Sequence, residues 1–407
     1  MRAKLVPLLV LLPVVAAGCA STAPSRPAST PTAAPAGSSC TGCPAAPTWA
    51  CCNPQDGCKA DDCGYIQPHP APPSTICEEN TGRQCEDGLP PVAGRQCEFG
   101  TPPVMGACGC TIPDDPPCGL GPARPGQVQF VVIGDWGDSC CKPSCANLVA
   151  DMIKRWNDRW PIDFILTTGD NFYPNGDQAA FNCSMPMYDW ISPHPVAGQP
   201  AHFLPSLGNH DLYDGCCGKP YQDYFQALGG GSSQTPRYYE YSAPGDLIDV
   251  YALNADKSEP DGITAGSRQG KWLQDELLSR FGQVPWHIVY FHEPPFSTHD
   301  KGFEPEMDWP FQAWGATLVL NGHVHAYERI VRNAFTYVTN GIGGIKSYDH
   351  ITQPEGCTPT TGSQVRYNGS SGALIGVATA NELRFCLMAL DRANPGGVCI
   401  DNFSFKK

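Results

Sequence analysis

Five times along this chain of 407 residues an apolar run stops and a small polar cluster follows. The clusters are GDWG, with Asp135; GDNFY, with Asp170 and Tyr173; GNHD, with Asn209, His210 and Asp211; VYFH, ending on His292; and GHVH, with His323 and His325. Short apolar runs bounded by turn residues read as buried strands. Each cluster therefore sits where a strand ends, which is where open α/β sheets gather their ligand sites. One Gly-Asp after a strand is ordinarily a capped turn, and lone histidines such as His202 and His287 are ordinarily core or surface residues. Five clusters in series are hard to explain that way. In GHVH the histidines stand two residues apart, and in an extended chain they face the same side. Two imidazoles aimed at one spot have metal-ligand geometry, and the rest of a site has to come from the other clusters.

Periodic structure begins near Gln127. CANLVADMIKRWNDRW carries apolar residues at Leu148, Met152 and Trp156, the spacing of an amphipathic helix, and RQGKWLQDELLSRF reads as another. Strands are expected in VQFVVIGD, DFILTTGD, HFLPSLGNHD, HIVYFH, TLVLNGH and FTYVTNG, and in a late pair around IGVATA and LRFCLMAL. Strands alternating with helices predict α/β layering.

In this order and without a gap, the clusters resemble the motif set of the metallophosphoesterases, and within them of the purple acid phosphatases: GDxG, GDxxY, GNH with an acidic residue, VxxH and GHxH. The resemblance covers about residues 127–395, and Tyr173 separates this branch from relatives lacking that tyrosine. GDWG, GDNFY and LGNHD look like the small, mammalian-type enzymes, whereas GHVHAYER looks like the large plant ones. A cysteine-rich stretch stands in place of the plant enzymes' N-terminal β-domain. The resemblance implies an α/β fold, a four-layer αββα sandwich over residues 125–407, and a dinuclear centre. It assigns Fe(III) to Asp135, Asp170, Tyr173 and His325. It assigns a divalent ion (Fe, Zn or Mn) to Asp170, Asn209, His292 and His323, with Asp170 bridging. The donors suit this division, since acids and a phenolate favour a trivalent ion, and imidazoles with an amide carbonyl favour a divalent one. A free phenol ionises only near about pH 10, so a strongly polarising ion has to keep Tyr173 ionised. Roughly five positive charges against three anionic ligands leave about +2, a cationic pocket for phosphate in an acidic protein.

The activity so implied is hydrolysis of phosphate monoesters by in-line attack of a metal-bound hydroxide. His210 is expected to donate to the phosphoryl oxygens or the leaving group, with Asp211 orienting its imidazole. His299, seven residues past His292, is the candidate second histidine, placed to protonate the leaving alcohol; its spacing is short for the family.

The formal net charge is -14, which argues against nucleic acid as a structural partner. Twenty-two cysteines indicate an oxidising compartment. Arg2 and Lys4 precede thirteen apolar residues, 5–17, too few to span a bilayer comfortably, so residues 1–18 read as a signal peptide. VAAGC resembles a bacterial lipobox, with Ala16 where Leu is favoured, and implies a lipid anchor on Cys19. The expected location is the cell envelope, at the outer membrane or surface; a plain secretory signal would instead leave the protein periplasmic or secreted. Residues 19–39, rich in Pro, Ser, Thr and Ala, read as a tether. Residues 40–124 hold twelve cysteines and read as a disulfide-stapled, loop-rich module; a zinc knuckle at CTGC lacks matching pairs. Cys140, Cys141, Cys145, Cys183, Cys216 and Cys217 closely follow the first three motifs and are expected to pair mainly with each other. A thiolate metal site is the alternative. If Cys19 is lipidated, 21 cysteines remain, so one of Cys357, Cys386 and Cys399 is left free or pairs with the N-terminal module. A monomer is expected.

Two other functional readings stand beside the monoesterase. One is a phosphodiesterase or nucleotide hydrolase of the same superfamily, since specificity lies in loops outside the motifs. The other is a surface binding protein whose phosphatase domain is vestigial.

Overall fold

The run QVQFVVI forms β1 (Gln127–Ile133), in which every residue after the first is buried. A strand buried on both faces has to lie between two layers, and this burial sets the architecture. The computed structural model describes residues 117–137, 145–213, 218–299, 303–345, 360–391 and 394–407. The expected signal peptide, tether and nearly all of the cysteine-rich module lie outside the described residues, as do Cys140, Cys141, Cys216, Cys217 and Cys357.

Two sheets carry the fold. The first contains β1, β2 (Phe164–Thr167), β3 (Phe203–Pro205), β11 (Gly372–Thr379), β12 (Glu382–Ala389) and β13 (Val398–Lys406), in the order β13-β12-β11-β1-β2-β3. The second contains β4 (Tyr239–Ser242), β5 (Ile248–Ala252), β6 (Trp286–Tyr290), β7 (Leu318–Asn321), β8 (Tyr327–Arg332), β9 (Phe335–Asn340) and β10 (Ser363–Tyr367), in the order β10-β8-β9-β7-β6-β5-β4. β1, β2 and β3 run parallel, as do β5, β6, β7 and β9. The remaining strands pair antiparallel.

Three apolar clusters separate the layers. Val128, Phe130 and Val132 of β1 join Ile288, Leu320 and Val338 of the second sheet in a core between the sheets. The alternate residues Val131 and Ile133 face outward onto α1 (Cys145–Arg159), through Val149, Met152, Ile153 and Trp156. On the far side, Val289 and Val319 meet Leu273 and Leu277 of α2 (Arg268–Arg280). Helices thus cover both outer faces, giving four layers. The helix α1 lies where its periodicity puts it, with Met152 and Trp156 buried as expected, Leu148 only partly covered, and Val149 and Ile153 completing the stripe.

In the central core Phe130 stacks on Phe164, with ring centroids 5.2 Å apart, and meets the edge of Phe385 at 5.8 Å. Gly376 on the neighbouring strand leaves room for this ring, because a Cβ there would overlap it. Replacing Phe130 with Ala should lower the free energy of unfolding by about 3–5 kcal/mol, the usual loss for a buried aromatic. Urea unfolding measures this, and a loss below about 1 kcal/mol would mean that the two sheets are not clamped here.

Candidate metal centre

The parallel strands all point their carboxyl ends one way, and the five clusters follow those ends. Asp135 stands two residues beyond β1, Asp170 three beyond β2, Asn209 four beyond β3, and His292 and His323 two beyond β6 and β7. The structure brings them together. Among the described residues, Asp170, His292 and His323 form one group able to hold a metal ion, and Asp135, Asp170 and His325 form another. Asp170 belongs to both.

The shared carboxylate is almost completely buried. Its Oδ2 accepts from the Tyr173 hydroxyl at 2.7 Å and lies 3.2 Å from His292 Nε2; its Oδ1 accepts from the His210 backbone N–H at 2.9 Å. Tyr173 OH also lies 3.3 Å from Asp135 Oδ1 and 3.4 Å from His325 Nε2. The phenol is thus seated among the second group of acids and imidazole. His292 donates Nδ1–H to the Thr168 carbonyl at 2.7 Å, which turns its Nε2 toward the site. His323 Nδ1 faces that same Nε2 at 3.1 Å. Asn209 Oδ1 is buried and has no hydrogen-bond partner. A buried acceptor without a donor is costly, and a cation shared with His292 and His323 would satisfy it. The donors present therefore fit two ions.

Electrostatics point the same way. Burial alone would raise the Asp170 carboxyl, but the fields of His292, His210 and His323 outweigh it and hold the group far below the carboxylate range. Burial disfavours charge on His292 too, yet Asp170 and Asp135 raise its imidazole well above the ordinary value. His323 goes the opposite way, pushed down to about 4 by burial and by His292. The acids demand positive charge at this spot, and two imidazoles cannot both supply it as protons.

The backbone is bent to make this cradle. Asp135, Asp170 and His323 adopt positive φ values of 55°, 51° and 69°. For residues other than glycine each costs about 1–2 kcal/mol, and such residues cluster at functional sites. Gly169 adopts φ +88°, and a Cβ there would lie 2.6 Å from His292 Nδ1; one on Gly322 would lie 2.7 Å from Asp135 Oδ2. These glycines let the chains of different motifs close around the ligands.

His210 and Asp211 do not act as a pair, contrary to expectation. His210 Nδ1 bonds to the Pro174 carbonyl at 2.7 Å, and its ring packs on Tyr173 with centroids 4.4 Å apart. The Asp211 carboxylate turns away and is fully buried. It accepts from the backbone N–H groups of Asn171 and Phe172 on Oδ1, and from Gly208 N–H and Asn171 Nδ2 on Oδ2, at 2.7–3.0 Å. Burial and the charge of Asp170 push its carboxyl up to about 8 against the pull of these N–H groups, yet the hydrogen bonds themselves call for the ionised form. Four donors suit a carboxylate, because none can accept a carboxyl proton. Asp211 thus ties the Asp170–Tyr173 loop to the Asn209–His210 loop. Asn171 completes the tie, donating to the Ser206 carbonyl and accepting from Trp136 Nε1 and the Thr167 hydroxyl. Sequence reading passed over Asn171, although it sits inside GDNFY.

His299 belongs to neither ligand group. It is buried, in a loop fastened by Thr298, whose N–H and hydroxyl both bond to the buried Glu328. Of the cysteines expected at the rim, Cys145 and Cys183 are each in a disulfide.

Residues 128–327 match the calcineurin-like phosphoesterase family. Purple acid phosphatase 4 of Arabidopsis thaliana is 26% identical over 262 residues, covering 58% of this chain and 74% of that protein. Purple acid phosphatase 5 of the same plant is 28% identical over 210 residues, covering 44% of this chain and 46%, less than half, of that protein. Among solved structures, the purple acid phosphatase PPD1 from yellow lupin (Lupinus luteus) seeds superposes with a TM-score of 0.55 at 19% identity, covering 70% of this chain and 55% of that one. The last likeness is one of fold.

Replacing Asp211 with Asn would set an NH2 group against N–H donors in a buried site. It should lower the free energy of unfolding by about 2–4 kcal/mol. A carboxylate that merely oriented His210 would give an Asn variant of unchanged stability, so unfolding in urea tells the two roles apart.

Proposed function

We propose that this protein, whose chain carries a calcineurin-like metallophosphoesterase domain, is an exported acid phosphatase that hydrolyses phosphate monoesters. The observation that carries the proposal is the sharing of Asp170 between two ligand groups, with the Tyr173 phenol against it. Asp135, Asp170, Tyr173 and His325 offer the hard, anionic donors that suit Fe(III). Asp170, Asn209, His292 and His323 suit a divalent ion such as Fe, Zn or Mn. When bound, the pair of ions supplies Lewis acidity toward the phosphate and an activated water as nucleophile.

The chain's own groups do the rest. With Nδ1–H given to the Pro174 carbonyl, His210 exchanges protons through Nε2. From that atom it serves a phosphoryl or leaving-group oxygen. Tyr173 holds the His210 ring from one face. In this proposal His299 protonates the departing alcohol from the loop that Thr298 and Glu328 fasten. Export rests on the expected signal peptide, and attachment to the envelope on lipidation of Cys19. No helix of the described residues is long and apolar enough to cross a membrane.

A tyrosinate bound to Fe(III) absorbs visible light, so the metal-loaded protein should be pink to purple, and Tyr173→Phe should bleach it. On a chromogenic phosphomonoester, His210→Ala should lower kcat by about 10²–10⁴ with metal content unchanged. A colourless, fully active protein holding only divalent metal would refute the iron assignment. Faster turnover of a chromogenic diester than of the monoester would refute the substrate class, and a metal-loaded protein inactive on both would favour a binding role.

A further inference from the structure

The third motif leaves β3 as a single helical turn, Asn209–Leu212, capped at its C-terminal end by Tyr213. The Tyr213 N–H donates to the His210 carbonyl at 3.3 Å. Residues three apart in such a turn are neighbours on its surface, and here their rings meet. The Tyr213 and His210 ring centroids lie 5.6 Å apart, with the planes inclined at 67°. That is the edge-to-face contact that aromatic quadrupoles favour. The same imidazole packs on Tyr173 at 4.4 Å, inclined at 47°. His210 therefore touches two phenol rings, one from the second motif and one just beyond the third. Its Nδ1 is anchored to the Pro174 carbonyl, but one hydrogen bond fixes one atom and leaves the ring able to turn about it. The two phenols supply what that bond lacks. Tyr213 is half-buried, and among the described residues its hydroxyl makes no hydrogen bond, so its ring is the part in use.

We propose that Tyr213 is a positioning residue for His210. Its ring closes, with Tyr173, an aromatic clasp that fixes the plane of the imidazole and so the direction in which Nε2 points. A ring that can turn presents Nε2 correctly for only part of the time, and misplacement of a reacting group is paid directly in turnover. Tyr213 acts through His210, and shortening its side chain leaves every candidate metal ligand in place. The consequence for turnover rests on the phosphatase reading of His210; the orientation of the ring does not.

The test compares the full-length, metal-loaded protein with Tyr213→Leu, Tyr213→Phe, His210→Ala and the double variant Tyr213→Leu/His210→Ala. On a chromogenic phosphomonoester, Tyr213→Leu should lower kcat about tenfold with KM, metal content and colour unchanged. Tyr213→Phe keeps the ring and should stay within about threefold of the native kcat. In the double variant the Tyr213→Leu change should cost nothing beyond His210→Ala, because there is no imidazole left to orient. A second readout needs no turnover. In the zinc-loaded protein the His210 ring-proton resonances, identified by their loss in His210→Ala, should shift in Tyr213→Leu and stay in place in Tyr213→Phe. An unchanged kcat in Tyr213→Leu, an equal loss in Tyr213→Phe, or a loss that adds in full to that of His210→Ala would overturn the proposal. So would His210 resonances that do not move in Tyr213→Leu. A native protein that turns over no phosphomonoester defeats the phosphatase reading instead, and the resonances then decide alone whether Tyr213 orients His210.

Discussion

A buried carboxylate is what the rest of this structure accommodates. Asp170 is almost fully enclosed, and an enclosed charge is tolerated only when it is paired and hydrogen-bonded. The Tyr173 hydroxyl, the His210 N–H and His292 meet it from three segments of the chain. Both ligand groups pass through it, so the position of this one side chain decides whether two cations can lie side by side. Several features that are otherwise hard to explain follow from that demand. Three of the candidate ligands adopt a left-handed backbone, glycines stand where a Cβ would enter the cradle, and an asparagine carbonyl is buried without a donor.

The two sheets hold these residues in place by different means. Parallel strands bring their carboxyl ends to one edge, and the shared core of Phe130, Phe164 and Phe385 locks the sheets face to face. Antiparallel β11, β12 and β13 carry no ligand and buttress β1. At the edge itself, side-chain hydrogen bonds replace strand pairing. The tie between Asp211 and Asn171 spans the second and third motifs, and the Thr168 carbonyl aims His292. Sites held this way are preorganised, which is where most electrostatic catalysis comes from.

The clusters that converge on the candidate site were legible in the sequence because each follows an apolar run, and β1, β2, β6, β7, β9, β11 and β12 fall where those runs lie. Strands that mix charge into the pattern were passed over. In β8, YERIVR, Glu328 is buried because Thr298 and Ser363 donate to it, and Arg329 is paired with Asp401 of β13. Such partners lie dozens of residues away, and no local pattern announces them. β5 has Asp249 within a fully buried run, paired with Arg280 of α2. β13 alternates between covered and exposed positions, with Asp401 buried, as a sheet edge does. The role of Asp211 was misjudged for the same reason, since adjacency suggested His210 while its donors Asn171 and Phe172 lie some forty residues upstream.

The central claim is that Asp170 is shared by two ions, and metal stoichiometry tests it most directly. After reconstitution with iron and zinc and removal of excess metal, elemental analysis should find two ions per chain in the native protein. Asp170→Asn, nearly the same size but without the charge, should lose both ions together while the fold persists by circular dichroism. An Asp170→Asn protein that keeps two ions, or a native protein that saturates at one, would contradict the account.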